Sequence, residues 1–171
     1  MNHVWTVFCA RSIVDRGTNQ VTLVDAIEVI GLLVTAEEEA KVKEGLTRKE
    51  DLAFPMETIL VSLWTRSQLE VPEKGIYRTT LFAPDGSPCP PVVQKEHTVD
   101  LTAHPRLRTS LKLSGLPLRG PGLHSFQLEQ NMGADQWETV ARVPFVITYD
   151  RVGTEGVPAE PPKKERRDKK K

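Results

Sequence analysis

Histidine and cysteine are the residue types in this chain best suited to bind a metal or to act as nucleophile and base, and it has four histidines and two cysteines. A zinc site needs three or four such side chains to converge. Cys89, His97 and His104 form the only group that is local in sequence, with the spacing C-x7-H-x6-H. That spacing matches no compact zinc pattern. We therefore expect no metal site and no bound cofactor.

The remaining reactive side chains sit in patterns that favour packing over catalysis. Cys9 lies inside the apolar run WTVFCA and is expected to be a packed core thiol. His124 is in phase with Phe126 and Leu128 and is expected at the core or its rim. Cys89 lies in the proline-rich turn SPCPP and is expected to be an exposed loop thiol. Neither a set of acid, nucleophile and oxyanion donor nor a phosphate-binding glycine loop is visible, so we expect a protein that is not an enzyme.

The three tryptophans, Trp5, Trp64 and Trp137, could form a platform for a sugar or a peptide, although large aromatics more commonly fill cores. Trp64 is the best candidate for exposure, because it lies on the opposite side of its strand from Ile59, Val61 and Leu63. The candidate contact residues for a ligand or a partner are Trp64, Trp137 and His124.

Charge is unevenly distributed along the chain, although the net charge is zero. Residues 160–171 hold seven lysines and arginines against three acidic residues, and residues 1–159 hold 16 against 20. The body is therefore mildly acidic. A nucleic acid or an anionic surface could bind only through the basic end, whose interspersed acidic residues weaken that interpretation in favour of a solubilising tail.

The segments that carry these residues have a dominant period of two, which is typical of strands with one buried face. In residues 106–114, Leu107, Leu111 and Leu113 alternate with polar side chains. Similar patterns, bounded by turn residues, occur at 3–15, 20–34, 57–66, 75–83, 92–102, 123–130 and 137–149. The sequence thus predicts an all-β antiparallel two-sheet sandwich of about eight strands, with a closed barrel as the alternative.

Three segments carry additional predictions. Residues 20–34 are expected to form one bent strand or two short ones. Pro144 has no N–H to donate to a ladder, so it indicates an edge strand or a bulge. Residues 35–51 are a charged insertion, in which a capping box formed by Thr35 and Glu38 favours a short helix.

The domain is expected to span residues 1–152, and residues 153–171 are expected to be a disordered tail rich in proline, lysine and arginine. No signal peptide and no apolar stretch long enough to span a bilayer is visible. Two cysteines without a local motif do not make a disulfide framework. We therefore expect a soluble cytoplasmic protein.

Residues 3–149 resemble a family of small bacterial β-sandwich proteins classed as a domain of unknown function. The resemblance lies in the segment TNQVTLVDAIEVI, in the strand from Gly75 that runs into the turn Pro84-Asp85-Gly86, and in a closing hairpin from Pro121 to Phe145. It implies a fold and brings no catalytic residues. The expected function is a non-enzymatic module that presents loops or an edge strand to a protein partner. The alternatives are a domain that binds a carbohydrate or small molecule, and an enzyme whose residues assemble only in three dimensions.

Overall fold

The structure is a computed structural model, and it describes residues 1–15, 17–18, 20–34, 53–89, 95–117 and 119–151. Every regular element in these ranges is a strand, which confirms the all-β prediction. The predicted helix in 35–51 and the predicted tail from 153 lie outside the described residues. The strands are β1 (Asn2–Val14), β2 (Val21–Ala26), β3 (Val29–Val34), β4 (Ala53–Thr65), β5 (Lys74–Phe82), β6 (Lys95–Asp100), β7 (Arg106–Pro117), β8 (Gly122–Asn131) and β9 (Trp137–Arg151).

The strands form two sheets. Sheet A has four antiparallel strands in the order β2-β1-β4-β7, and sheet B has five in the order β3-β9-β8-β5-β6. All neighbours in sheet B are antiparallel except β3 and β9, which are parallel. Within the described ranges no helix is long and apolar enough to cross a membrane.

The segment from Val21 to Val34 passes from one sheet to the other, so of the two predicted forms the two short strands are the one observed. β2 pairs with the end of β1, and β3 pairs with the end of β9. Between them the Ile27 N–H donates to the Phe8 carbonyl, and the Glu28 carbonyl accepts from the Val146 N–H, both at 2.8 Å. Two consecutive crossover residues thus hold β1 and β9 close together.

The core lies between the sheets and is shared by both. Phe8 of sheet A contacts Phe126 and Phe145 of sheet B, with ring centroids 5.0 Å apart in each case. Trp64 and Tyr77 make a similar contact at 4.9 Å from opposite sheets. Burial of such large rings contributes about 1.5–3 kcal/mol per side chain to the free energy of folding, so these contacts stabilise the packing of the two sheets.

The orientation of β4 corrects the sequence interpretation. Leu60 and Trp64 face the shared core and are 2% and 0% exposed, so the expectation that Trp64 is exposed is wrong. Val61 lies on the other face of sheet A and is also buried, outside the core cluster. Periodicity alone could not assign the faces of β4, because a strand that is buried on both sides carries apolar residues in both phases.

The leucines of β7 follow the predicted alternation. Leu113 is buried in the core, and Leu107 and Leu111 are partly buried against it. In the register with β4, Leu107 lies opposite Trp64 and Leu111 opposite Leu60. The leucine row and the core side of β4 therefore form one continuous apolar surface.

Pro144 lies on the part of β9 that β3 does not reach, because the β3–β9 ladder begins at Val146. The Val146 N–H points toward the β3 side, so a donor at position 144 would point the same way, where no described residue continues the ladder. The missing N–H therefore costs little there, although β9 lies between β3 and β8 and is not the edge strand that one alternative predicted. The irregularity in the β8–β9 ladder lies elsewhere, between Leu128 and Glu129.

Candidate functional site

The four histidines lie in different parts of the fold. His3 packs its ring against Trp64, and His97 stacks on Tyr77 at 5.2 Å. His104 is exposed between β6 and β7, and His124 is buried beside Phe145. Among the described residues there is no group of three histidine, cysteine or acidic side chains that could hold a metal.

His124 lies on the core side of β8, as its phase predicted, and is 0% exposed. Its Nδ1–H donates to the Gly122 carbonyl at 3.2 Å, since a carbonyl can only accept. The ring stacks on Phe145, and Nε2 has no hydrogen-bond partner among the described residues. Burial holds the pKa of His124 below its ordinary value. A neutral, enclosed imidazole of this kind offers no surface to a partner.

Both cysteines are free and buried. Cys9 is 0% exposed, and its Sγ donates to the Ile59 carbonyl at 3.6 Å. The expectation that Cys89 is an exposed loop thiol is wrong, because it is 4% exposed. Its N–H donates to the Leu81 carbonyl at 2.8 Å, which holds the loop against the end of β5. Burial raises the pKa of both thiols and makes them poor nucleophiles.

Of the predicted contact residues, only Trp137 reaches the surface, where it is partly exposed at the start of β9. Trp64 is enclosed, and its Nε1–H donates to the Thr109 hydroxyl. The guanidinium carbon of Arg78 lies 4.3 Å from the centre of the Trp137 ring. Arg78 Nε also donates to Glu129 Oε2 at 2.8 Å. The structure thus assembles Arg78, Trp137 and Glu129 into one group.

This group borders a depression on the solvent side of sheet B, which we call the outer depression. It has a volume of about 420 Å³. Its lining residues are Arg78, Thr80, Phe82, Pro88, Glu96, Gln127 and Glu129. Sequence reasoning missed all of them, because Arg78 and Glu129 are 51 positions apart and meet only through the β5–β8 register.

A second concave site lies where the sheets meet, between β1 and β9, and we call it the seam cleft. Its volume is about 520 Å³, and most of its lining surface is apolar. One wall is Thr6, Val7 and Phe8, and the other is the segment 143–146. Ala26, Ile27 and Glu28 of the crossover close one end, and Leu123 adds an exposed rim.

Two strand edges flank the seam cleft. In the described part of the chain, β2 pairs with β1 only from Cys9 onward, and β3 pairs with β9 only from Val146 onward. On the side that faces the cleft, the earlier parts of both strands have no ladder partner among the described residues. The Phe8 carbonyl points to this side, since it accepts from Ile27, and alternation puts the Thr6 backbone on the same side.

An apolar row crosses the surface beside the cleft. Val29 lies opposite Val146 in the β3–β9 ladder, and Val146 lies opposite Leu123 in the β8–β9 ladder. Val29 and Leu123 are 60% and 59% exposed. Adjacent exposed apolar side chains next to an apolar cleft are typical of a docking surface.

Comparison with known proteins adds no further information about the site: no protein-family model, no curated protein and no solved structure matches the chain.

Proposed function

We propose that this protein is a non-enzymatic β-sandwich module that binds an extended segment of a partner polypeptide in the seam cleft. The observation that carries the proposal is the combination of an apolar cleft with two strand edges that have no ladder partner along it among the described residues. An extended peptide satisfies both features at once, because its backbone can pair with an edge while alternate side chains enter the cleft.

β1 is the edge to which the peptide backbone pairs. Thr6 directs its backbone N–H and carbonyl toward the cleft, and Phe8 directs its N–H, since the Phe8 carbonyl already accepts from Ile27. Pro144 on the opposite wall has no N–H to offer. The β9 wall contributes apolar side-chain surface instead, from Val143 and Pro144. A peptide in this position extends sheet A by one strand beyond the point where β2 leaves it.

The lining determines the chemistry of the segment. Alternate side chains meet Phe8, Phe145 and Val143, so these positions of the peptide are apolar. Glu28 is the charged residue among the lining side chains, and it lies at the crossover end of the cleft. A neutral or basic residue is therefore favoured at the end of the peptide that lies beside Glu28.

The test is a selection from a displayed library of short random peptides, followed by binding measurements with two matched variants. Leu123→Glu places a charge on the rim of the cleft, and Met132→Glu places the same charge on a residue of similar exposure, 57%, just beyond β8. Because both side chains are exposed, neither variant should alter folding. We expect the selected peptides to bind Leu123→Glu at least about tenfold more weakly than the wild type and Met132→Glu equally well.

Amide hydrogen exchange locates the bound peptide independently. Pairing with the β1 edge should slow exchange of the backbone amides of Thr6 and Phe8. Selected peptides that protect other strands, or that bind both variants equally, would overturn the proposal. Self-association through the same edge without any peptide would also overturn it, since the occupant would then be a second copy of the chain.

A further inference from the structure

The outer depression shares no lining residue with the seam cleft, and its floor and rim differ in chemistry. Thr80 and Gln127 lie opposite each other on β5 and β8 and supply a hydroxyl and an amide. Thr80 is only 6% exposed although it faces the depression. Phe82 and Pro88, which are joined by a backbone bridge, add an apolar wall. A ligand that fits must carry both hydrogen-bonding groups and an apolar face.

The charges of the lining disfavour anions. Glu96 and Glu129 face the depression together with one cation, Arg78. Glu96 is the direct neighbour of Arg78 in the β5–β6 register, and Glu129 is its neighbour in the β5–β8 register. The two carboxylates outnumber the guanidinium, so a phosphate or a carboxylate would be repelled. Hydroxyl groups, in contrast, can donate to the carboxylates and accept from the guanidinium.

Arg78 is held rigidly for such a role. Its Nε–H donates to Glu129 at 2.8 Å, and its guanidinium carbon lies 4.3 Å from the centre of the Trp137 ring. A guanidinium anchored through Nε has its Nη atoms in a defined direction, so little side-chain entropy is lost when a ligand binds. Trp137 therefore acts as a positioning residue for Arg78.

We propose that the outer depression binds a neutral sugar ring. The volume of about 420 Å³ lies within the range of roughly 300–1,000 Å³ that is usual for small-ligand sites. The hydroxyls of the ring bond to Arg78, Gln127 and the carboxylates, and one face of its C–H groups packs on Phe82 and Pro88. This combination of an apolar face with hydroxyls around its edge distinguishes a sugar from both an anion and an aliphatic ligand.

The experiment is a titration of the full chain with a panel of neutral mono- and disaccharides. Binding is measured by calorimetry and by tryptophan fluorescence. Thr80→Val removes the hydroxyl from the floor with almost no change in volume. Thr98→Val makes the same change at an exposed position of β6 on the same side of sheet B, opposite Ile76. We expect Thr80→Val to bind the best sugar about threefold to tenfold more weakly, and Thr98→Val to bind it as the wild type does.

Glu96→Gln provides a second variant at an exposed residue, so a folding defect in Thr80→Val would not obscure the result. Glu96→Gln keeps the shape of the side chain and removes its charge. Because a charged acceptor is lost, this variant should also bind sugar about threefold to tenfold more weakly. The proposal is overturned if no sugar of the panel binds, if both variants bind as the wild type does, or if inorganic phosphate or an alkylamine binds more tightly than every sugar.

Discussion

Trp64 and Tyr77, from opposite sheets, share one hydrogen-bond acceptor. Trp64 Nε1–H and the Tyr77 hydroxyl each donate to the Thr109 hydroxyl at 3.1 Å, and their ring centroids lie 4.9 Å apart. A hydroxyl has two lone pairs and can accept both bonds. The polar groups of two buried aromatic side chains are thereby satisfied at a single point between the sheets.

Replacing Thr109 by valine should therefore destabilise the fold. Valine has nearly the same shape but accepts no hydrogen bond, so two buried donors lose their partner. We expect a loss of about 2 kcal/mol in the free energy of unfolding, measured by urea denaturation. Ser110→Ala, at the next and exposed position, is the control and should change the free energy little. Equal unfolding midpoints for the two variants would show that the shared acceptor does not stabilise the fold.

Acid should weaken the fold through His124 before it affects the carboxylates. Burial lowers the pKa of His124 in the folded state, so the unfolded chain binds this proton more readily. His124 therefore makes its full contribution to the free energy of unfolding above the unfolded pKa of about 6.5, and this contribution is lost as the pH falls below that value. Asp85, whose pKa is lowered mainly by hydrogen bonds from Ser87, acts in the same direction only at more acidic pH.

The measurement is the unfolding free energy of the wild type and of His124→Phe between pH 7 and pH 5. Phenylalanine keeps an aromatic ring against Phe145 but cannot be protonated. We expect the free energy of unfolding to fall less steeply with decreasing pH in this variant than in the wild type. His3, whose pKa is also lowered by burial, contributes to the slope that remains. Parallel curves for the wild type and His124→Phe would refute the assignment to His124.

Gly122, at the start of β8, should tolerate no side chain. Its φ of 129° lies in the region that favours glycine, and an added Cβ would lie 3.0 Å from Cβ and Cγ of Pro84. Gly133 has a φ of 103° but open space around it. Alanine at either position carries the backbone cost of about 1–2 kcal/mol. Gly122→Ala should carry about 1–3 kcal/mol more for the contact with Pro84.

Thermal unfolding of these two glycine variants compares them directly. Both positions have a positive φ, and only Gly122→Ala adds a close contact with Pro84, so we expect a lower Tm for Gly122→Ala than for Gly133→Ala. A Tm for Gly133→Ala that is equal to or below that of Gly122→Ala would contradict this account.

The thiols should be protected from reagents while the chain is folded. Cys9 and Cys89 are 0% and 4% exposed, and burial raises the pKa of both. A colorimetric thiol reagent at neutral pH should react slowly with the native protein and should titrate both cysteines rapidly after denaturation. Rapid reaction of one thiol in the native state would contradict this prediction, and Cys89→Ser would show whether that thiol is Cys89.

The sequence by itself determined the strands and much of the inside and outside of the fold. Alternation located the core leucine row of β7 and put His124 in phase with Phe126, because the side-chain direction in a strand has a period of two whatever the strand packs against. Pro144 also marked a backbone position that cannot donate to a ladder, since a missing N–H is a property of the residue itself. These features depend on a residue and its nearest neighbours along the chain.

Only the tertiary structure decided which strands meet and which face of β4 lies inside. Trp64 could not be assigned to the core from its own strand, because Ile59 and Val61 offered an equally apolar alternative on the other face. The pairing of Arg78 with Glu129, and the open edges beside Phe8 and Pro144, depend on strand order and on where β2 leaves sheet A. Strand order results from contacts between distant segments, and no local pattern encodes it.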